Sequence, residues 1–352
     1  MKLLVAFGTR PEIVKLAPVV SALRRRGHEV RVIATGQHAD PRLADDFIAD
    51  LGLVPDVQWS LPTDEAARVG ALLTAAYEEV GETRPDAVVL LGDTHTVPLF
   101  ALAARRFAVP VVHVEAGLRS FNPRSLEESH RRVAAALASI HFAPTELAAR
   151  FLESEGVDPR RVIVVGNPVT DTLARVGPPR RAPGERAGVL FTAHRATNVD
   201  SDAGLDAVGR AILGLAEEIG VVTFPVHPRT EARLRVTGWR GVLEATDNVI
   251  LTEPLRYGAM LSAIASADVV VTDSGGLQEE ASWFGVPVVV LRRSTPRWEG
   301  VLQGTTVLTG LDPARAVDAA RTFCTPAEQA RVYAVPCPYG DGRVGDRVAA
   351  RF

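Results

Sequence analysis

An α/β protein of two Rossmann-like domains is what the sequence predicts, on three observations. Short Val- and Ile-rich runs recur along the 352 residues, amphipathic stretches separate them, and one Pro- and Gly-rich break falls near the middle. Apolar runs of this length read as strands buried on both faces, the pattern of parallel sheets. Strands alternating with helices in sequence give βαβ units. A chain this long suits two cores better than one.

In the first half the strand-like runs are 3–7, 30–34, 87–91, 111–114 and 162–165. In the second half they are 189–192, 221–224, 249–251, 269–272 and 286–291. Helix-like segments lie at 12–26, 66–80, 126–137, 202–218, 258–267 and 276–284. The break is 177–184, Gly-Pro-Pro-Arg-Arg-Ala-Pro-Gly, which suits neither a helix nor a strand interior. It predicts a first domain over 1–176 and a second over 185–342, each with a sheet of about five strands. In open α/β sheets ligands bind outside the carboxyl ends of the strands, so two facing domains would hold a ligand in the cleft between them.

Composition narrows the function classes. With 47% hydrophobic and 23% charged residues, wholesale disorder is excluded. Lys plus Arg (39) nearly balances Asp plus Glu (42), so there is no global attraction for nucleic acid and any anion site must be local. Cys324 and Cys337 read as reduced structural thiols, with no disulfide framework and no metal-ligand spacing. The N-terminal apolar run, 3–7, is too short for a secretory signal core. No run approaches the ~18 residues of a membrane span, so neither a membrane nor a nucleic-acid partner is expected and the default compartment is the cytoplasm.

The candidate chemistry sits where strands end. After the first strand comes Gly8-Thr9-Arg10-Pro11-Glu12, with Lys15 a little over one turn further on. Gly8 permits a sharp turn and Pro11 suits a helix start, which sets Arg10 at a helix N-terminus. The guanidinium and the helix dipole would both attract phosphate there, and an exposed Arg in a tight turn explains the pattern equally well. After the strand at 269–272 comes Asp273-Ser274-Gly275-Gly276, followed by Leu277-Gln278-Glu279-Glu280. Ser274 reads as an N-cap, and Gly275 and Gly276 let a phosphate approach bare helix N–H groups. A glycine pair is costly at a helix start, which favours a phosphate site over a merely well-capped helix. Glu280 lies where it can reach ribose hydroxyls.

Acidic residues also end strands. Asp93 follows 87–91, Glu115 follows 111–114, and Glu127 and Glu128 open the next helix. Carboxylates converging at the top of one sheet would repel, raising some of their pKa values into the range useful for acid–base work. Glu128 reads as an ordinary first-turn acid; Asp93 and Glu115 read as functional. His194, after the first strand of the second domain, suits an acid, a base, a phosphate donor or a helix cap. His227 reads as structural. Arg297 suits a pyrophosphate or a surface loop.

Together these motifs resemble the UDP-N-acetylglucosamine 2-epimerase family, in its non-hydrolysing branch. The matching pieces are Gly8 to Glu12 with Lys15, Thr35-Gly36-Gln37-His38, Gly92-Asp93-Thr94, His113 to Arg119, Phe142 to Thr145, and Gly166-Asn167 with Asp171. In the second domain they are Ala193-His194-Arg195, Pro225 to Pro228, Thr272 to Glu280, and Pro338 to Gly342. The pieces run in the family's order over nearly the whole chain. The resemblance implies a glycosyltransferase-B type fold, with the nucleotide held mainly by the second domain and a C-terminal helix at about 343–352 returning to the first. It implies that Asp93, Glu115, Glu127 and His194 are catalytic. It implies that Arg10, Lys15, Ser274, Gly275, Gly276, Glu280 and Arg297 contact a UDP-sugar, with His130 near the sugar and Met260 near the uracil. It also implies a homodimer.

The implied reaction is reversible C2 epimerisation of UDP-N-acetylglucosamine to UDP-N-acetylmannosamine. The C2 hydrogen is not acidic, so anti elimination of UDP to a 2-acetamidoglucal, then re-addition, is the accessible route. It needs acid–base groups on opposite faces and a closed site, but no metal or nicotinamide cofactor. Six positions depart from the family pattern. Thr197 replaces a Glu, although Asn198 stands; Leu126 and His130 replace Pro and Asn; Ala39-Asp40 does not match an allosteric segment; Met260 replaces an aromatic. The competing functions are a hydrolysing 2-epimerase releasing UDP and N-acetylmannosamine, an epimerase for a modified UDP-sugar, and a glycosyltransferase on the same fold.

Overall fold

A computed structural model describes residues 1–36 and 51–352, except the side chain of Arg10. The chain divides into two compact units, Met1–Arg175 with Tyr339–Phe352, and Val176–Pro338.

The first unit holds strands β1 (Lys2–Phe7), β2 (Glu29–Ala34), β3 (Val57–Gln58), β4 (Ala87–Leu91), β5 (Val111–Val114), β6 (Ile140–Ala143) and β7 (Val162–Val164). Its helices are α1 (Arg10–Arg25), α2 (Glu65–Thr83), α3 (Thr96–Arg106), α4 (Leu126–Leu137), α5 (Glu146–Ser154) and α6 (Val169–Val176). The strands are all parallel, in the order β3-β2-β1-β4-β5-β6-β7. Every residue of β4 and β5 is buried, which explains the unbroken apolar run of β4 and the valines on either side of His113 in β5. Leu4, Ala6, Val88 and Leu90 from the sheet pack with Val97, Phe100 and Ala104 of α3.

The second unit holds β8 (Val189–Thr192), β9 (Val222–Pro225), β10 (Val249–Thr252), β11 (Val269–Thr272), β12 (Val288–Val290) and β13 (Thr306–Leu308). Its helices are α7 (Ala196–Val199), α8 (Asp202–Glu218), α9 (Pro228–Thr237), α10 (Trp239–Glu244), α11 (Tyr257–Ser266), α12 (Gly276–Phe284), α13 (Trp298–Leu302), α14 (Pro313–Phe323) and α15 (Pro326–Ala334). The parallel order is β10-β9-β8-β11-β12-β13. Phe191 and Phe224 meet edge to face at 5.2 Å inside a core completed by Leu205, Ile212 and Leu215 of α8.

Two expectations change. The sheets have seven and six strands among the described residues, against about five each from the sequence. The extra ones are β3, only two residues long, β6, whose apolar run His141 interrupts, and the short β13. Gln37, His38, Ala39 and Asp40, read for a possible allosteric segment, lie outside the described residues.

The last helix, α16 (Val344–Ala349), lies in the first unit. Asp171 of α6 accepts the N–H groups of Val344 and Gly345, each at 2.8 Å, and so caps the α16 N-terminus from outside. Gly345 packs so closely on α1 that a Cβ there would lie 2.7 Å from the Pro18 carbonyl oxygen. The Tyr339 carbonyl accepts the Asn167 N–H at 2.6 Å. Residues 339–342 therefore join the first unit, and the second ends at Pro338 rather than 342. No helix among the described residues is long and apolar enough to cross a membrane.

Candidate active site

Strand order decides where the functional side chains gather. In the first sheet it reverses between β1 and β4, where a crevice forms at the carboxyl edge of a doubly wound sheet. The register pairs Ala6 with Leu90 and Leu91 with Val114, which brings Gly8, Asp93 and Glu115 out at that same edge.

Glu115 is buried and ion-paired to Lys15 at 2.6 Å, also buried, and its Oε1 accepts from Asn167 Nδ2 at 3.3 Å. Its backbone is left-handed, φ 62°, a conformation costing a residue with a Cβ roughly 1–2 kcal/mol. Strain of this kind persists where surrounding bonds over-determine a side chain, as the Lys15 and Asn167 contacts do here. Asp93 pairs with Arg131, whose Nη1 also binds Glu128 at 2.8 Å. Glu128 further accepts the Ser120 N–H and hydroxyl at 2.8 and 3.0 Å, so it is a structural acid, as its first-turn position suggested.

The expectation of mutually repelling carboxylates is thereby corrected. Asp93 and Glu115 have separate cationic partners, Arg131 and Lys15. Lys15 sits on Glu115 with Nζ 2.6 Å from Oε1 and so holds that carboxylate in place. Glu127 is half-buried and accepts from the Ser125 hydroxyl at 2.6 Å. His130 is buried, with Nδ1 2.8 Å from the Asp93 carbonyl oxygen and its ring 4.7 Å from that of His95. Burial, then the neighbouring His130, holds His95 below the ordinary histidine pKa.

Glu12 bridges β1 and β4. One of its carboxyl oxygens accepts the N–H of Gly8 and both the N–H and hydroxyl of Thr9, at 3.0, 2.8 and 2.9 Å. The other accepts the Thr94 hydroxyl at 3.1 Å. Burial pushes this carboxyl up to about 7, against the opposing pull of those hydrogen bonds. Arg10 begins α1 directly after this anchored turn, with its side chain outside the description.

The second sheet reverses between β8 and β11. Thr192 and Thr272 are in register, so His194 and Asp273 emerge side by side. His194 Nδ1 is 3.0 Å from Asp273 Oδ1 and its ring is 5.4 Å from that of His227. His227 caps α9, its Nδ1 accepting the Arg229 N–H at 3.1 Å, which fits the structural role read for it.

Helix α12 has Gly275 at its N-cap position, not Ser274. Ser274 lies one residue outside, its N–H on the Thr272 hydroxyl at 2.9 Å and its carbonyl accepting from Gln278 at 2.9 Å. The N-cap reading of Ser274 fails because its hydroxyl accepts no helix N–H among the described residues. A Cβ on Gly275 would lie 3.0 Å from Arg297 Nη1, while one on Gly276 would meet no described heavy atom within 4 Å. The helix start therefore carries no side-chain cap, and Arg297 crosses it with Nε on Glu279 at 2.8 Å. Bare N–H groups beside a guanidinium form an anion-binding geometry. Glu280 is buried beside Tyr257, whose hydroxyl is pushed up by burial and then by that carboxylate. Met260, half-buried, lies one turn along α11 from Tyr257.

Sequence reading did not single out Arg131, Asn167, Glu12 or Asp273. Asp273 had a signal, since it ends a strand as Asp93 and Glu115 do. Arg131 had one too, three residues after Glu128 on a helix.

Comparisons with known proteins follow this geometry. A family model described as UDP-N-acetylglucosamine 2-epimerase matches residues 21–352. The UDP-N-acetylglucosamine 2-epimerase of Methanocaldococcus jannaschii is 33% identical over 363 aligned residues, covering 99% of this chain and 98% of that one. The UDP-2,3-diacetamido-2,3-dideoxy-D-glucuronate 2-epimerase of Pseudomonas aeruginosa is 31% identical, covering 99% and 98%. The crystal structure of UDP-GlcNAc 2-epimerase from Neisseria meningitidis bound to UDP-GlcNAc superposes with a TM-score of 0.89 at 30% identity, covering 100% and 99%. The two parallel-sheet units are those of the glycosyltransferase-B type fold expected from the sequence. The chain belongs to the UDP-N-acetylglucosamine 2-epimerase family.

Proposed function

We propose that the chain interconverts UDP-N-acetylglucosamine and UDP-N-acetylmannosamine reversibly, by elimination of UDP to a 2-acetamidoglucal and re-addition. The observation that carries this reading is that Asp93, His194 and an uncapped, arginine-flanked helix start end strands at the strand-order reversals, with Glu115 one strand away on the same carboxyl edge. Among relatives, the M. jannaschii and N. meningitidis proteins are named for this epimerisation.

In this scheme Asp93 and Glu115 exchange protons with the sugar, and Glu127 assists. Positioned general acids and bases typically contribute roughly 10²–10⁴-fold. The Gly275–Gly276 helix start with Ser274, Arg297 and Arg10 takes the diphosphate and stabilises the charge that develops as C1–O breaks. His194 exchanges a proton on the diphosphate side. Glu280 takes the ribose hydroxyls, Met260 lies against the uracil, and Lys15 acts by holding Glu115. Cleavage at C1 comes with loss of the C2 proton, so a hydrogen that no carbonyl acidifies can still leave.

Incubation with UDP-N-acetylglucosamine in D2O, followed by proton NMR, tests the reading. UDP-N-acetylmannosamine should appear with deuterium at C2. Free N-acetylmannosamine as the sole product would move the chain to the hydrolysing branch, and an unchanged spectrum would remove the substrate assignment.

One observation favours a second reading, an epimerase for a modified UDP-sugar. His130 fixes the Asp93 carbonyl and packs on His95, adding two imidazoles beside that acid. The P. aeruginosa relative is named for a diacetamido-uronate sugar. A higher kcat/KM for that nucleotide sugar than for UDP-N-acetylglucosamine would favour this reading.

A further inference from the structure

The histidine at the end of β8 presents two ring nitrogens, and its chemistry depends on which one carries the proton. The geometry around Asp273 settles this. Asp273 is fully buried, and its Oδ2 accepts three N–H donors: the backbone of His194 at 3.0 Å, the backbone of Arg195 at 2.9 Å, and Asn198 Nδ2 at 3.1 Å. Asn198 also donates to the Leu291 carbonyl at 3.1 Å, tying it to the strand end beyond β12. Oδ1 faces His194 Nδ1 at 3.0 Å and shares the His194 backbone N–H at 3.2 Å. Burial would raise this carboxyl; the hydrogen bond and charge of His194, then the backbone N–H groups of Arg195 and His194, outweigh it and hold Asp273 below its ordinary value. The three N–H donors on Oδ2 favour the carboxylate whatever the state of the His194 ring. An ionised carboxylate only accepts, so His194 Nδ1 must carry a hydrogen.

From this geometry we infer that Asp273 is a positioning residue: it fixes His194 as the Nδ1–H tautomer and leaves Nε2 as the nitrogen that exchanges a proton with the substrate. The inference rests on the proposed epimerisation for its substrate and extends it by naming the group that sets the histidine's state. A proton taken up at Nε2 gives an imidazolium whose Nδ1–H stays on Asp273, and the carboxylate remains ionised throughout. The proton then leaves from Nε2 alone, so the ring keeps its orientation through a turnover. Asp273 thereby acts on the reaction only through His194. Among the described residues, His227 is the other titratable ring beside His194, and its Nδ1 is occupied by the Arg229 N–H.

The geometry also dictates how the test variant should behave. In Asp273→Asn the three donors on Oδ2 keep the amide oxygen in that place. The amide NH2 must then take the place of Oδ1 and donate to His194 Nδ1. His194 is forced to the Nε2–H tautomer, the wrong one for accepting a proton at Nε2, while the three anchors on Oδ2 survive and only the longer His194 N–H contact to Oδ1 is lost. Protein labelled with ¹⁵N-histidine would be read by long-range ¹⁵N–¹H correlation at about pH 8.5, roughly two units above the ordinary imidazole pKa. His194→Gln assigns the resonance.

Wild type should show Nδ1–H at His194 and the Asn variant Nε2–H. In the variant kcat should fall roughly 10²–10⁴-fold, with UDP affinity and melting temperature near wild type. A variant that retains the Nδ1–H tautomer overturns the inference, and so does one that changes tautomer yet keeps wild-type kcat. The NMR arm needs no substrate, so an inactive wild type would refute the proposed function and leave the tautomer result to judge the dyad.

Discussion

Asp93→Asn should lower kcat for C2 epimerisation by roughly 10²–10⁴-fold, while the dissociation constant for UDP changes only a few-fold. Asn keeps the shape of Asp and keeps an oxygen for Arg131. His130 remains on the Asp93 carbonyl and the Thr94 hydroxyl on Glu12, so the loop after β4 keeps its anchors. What is lost is the charge and the ability to exchange a proton. The nucleotide contacts proposed above lie, apart from Arg10, in the other unit and should survive. Steady-state kinetics with UDP titration calorimetry separates the cases. An equal collapse of UDP affinity would make Asp93 architectural rather than chemical.

Lys15→Met should destabilise the first unit by about 3–5 kcal/mol, because it strands the Glu115 carboxylate in a buried site. Both partners of the pair are buried, with 6% and 4% of their surface exposed, so water cannot substitute for the ammonium. Asn167 contributes one longer hydrogen bond and cannot neutralise the charge. Lys15→Met combined with Glu115→Gln should recover most of the loss, since both charges are then gone. Hydrogen exchange of β1 and β5 amides reads the first unit alone, which matters in a chain of two cooperative units. Wild-type protection in the single variant, or no recovery in the double, would contradict this account.

Much of the fold was legible because parallel strands buried on both faces leave unbroken apolar runs. Strands β4, β5, β8 and β11 and helices α4, α8 and α12 stand at the bounds read from the sequence. Strand β6 was not legible: whereas β5 keeps three valines around its own histidine, in β6 His141 interrupts a run that has no valine. The fold tolerates it because burial pushes that imidazole down to about 3, keeping it neutral inside the sheet. The candidate site was legible at Asp93, Glu115 and His194, which end strands, although Asp273 ends one too and was not singled out. Its cross-links were not. The Lys15–Glu115 pair joins residues a hundred positions apart, and Asn167 reaches the same carboxylate from beyond β7. Such partnerships depend on sheet order and register, which local pattern does not encode. Reading the strand-end acids as mutually repelling failed for that reason, since each cation arrives from a different element.

The central claim is that the C1–O bond to UDP breaks and re-forms during epimerisation. Positional isotope exchange tests it most directly. UDP-N-acetylglucosamine carrying ¹⁸O in the bridge between C1 and the β-phosphorus would be incubated with the enzyme and recovered before equilibrium. The account predicts that label moves from the bridge to the non-bridging β-phosphoryl oxygens, because released UDP can rotate its terminal phosphoryl group before it adds back. Interconversion of the two nucleotide sugars with the label retained in the bridge would contradict it.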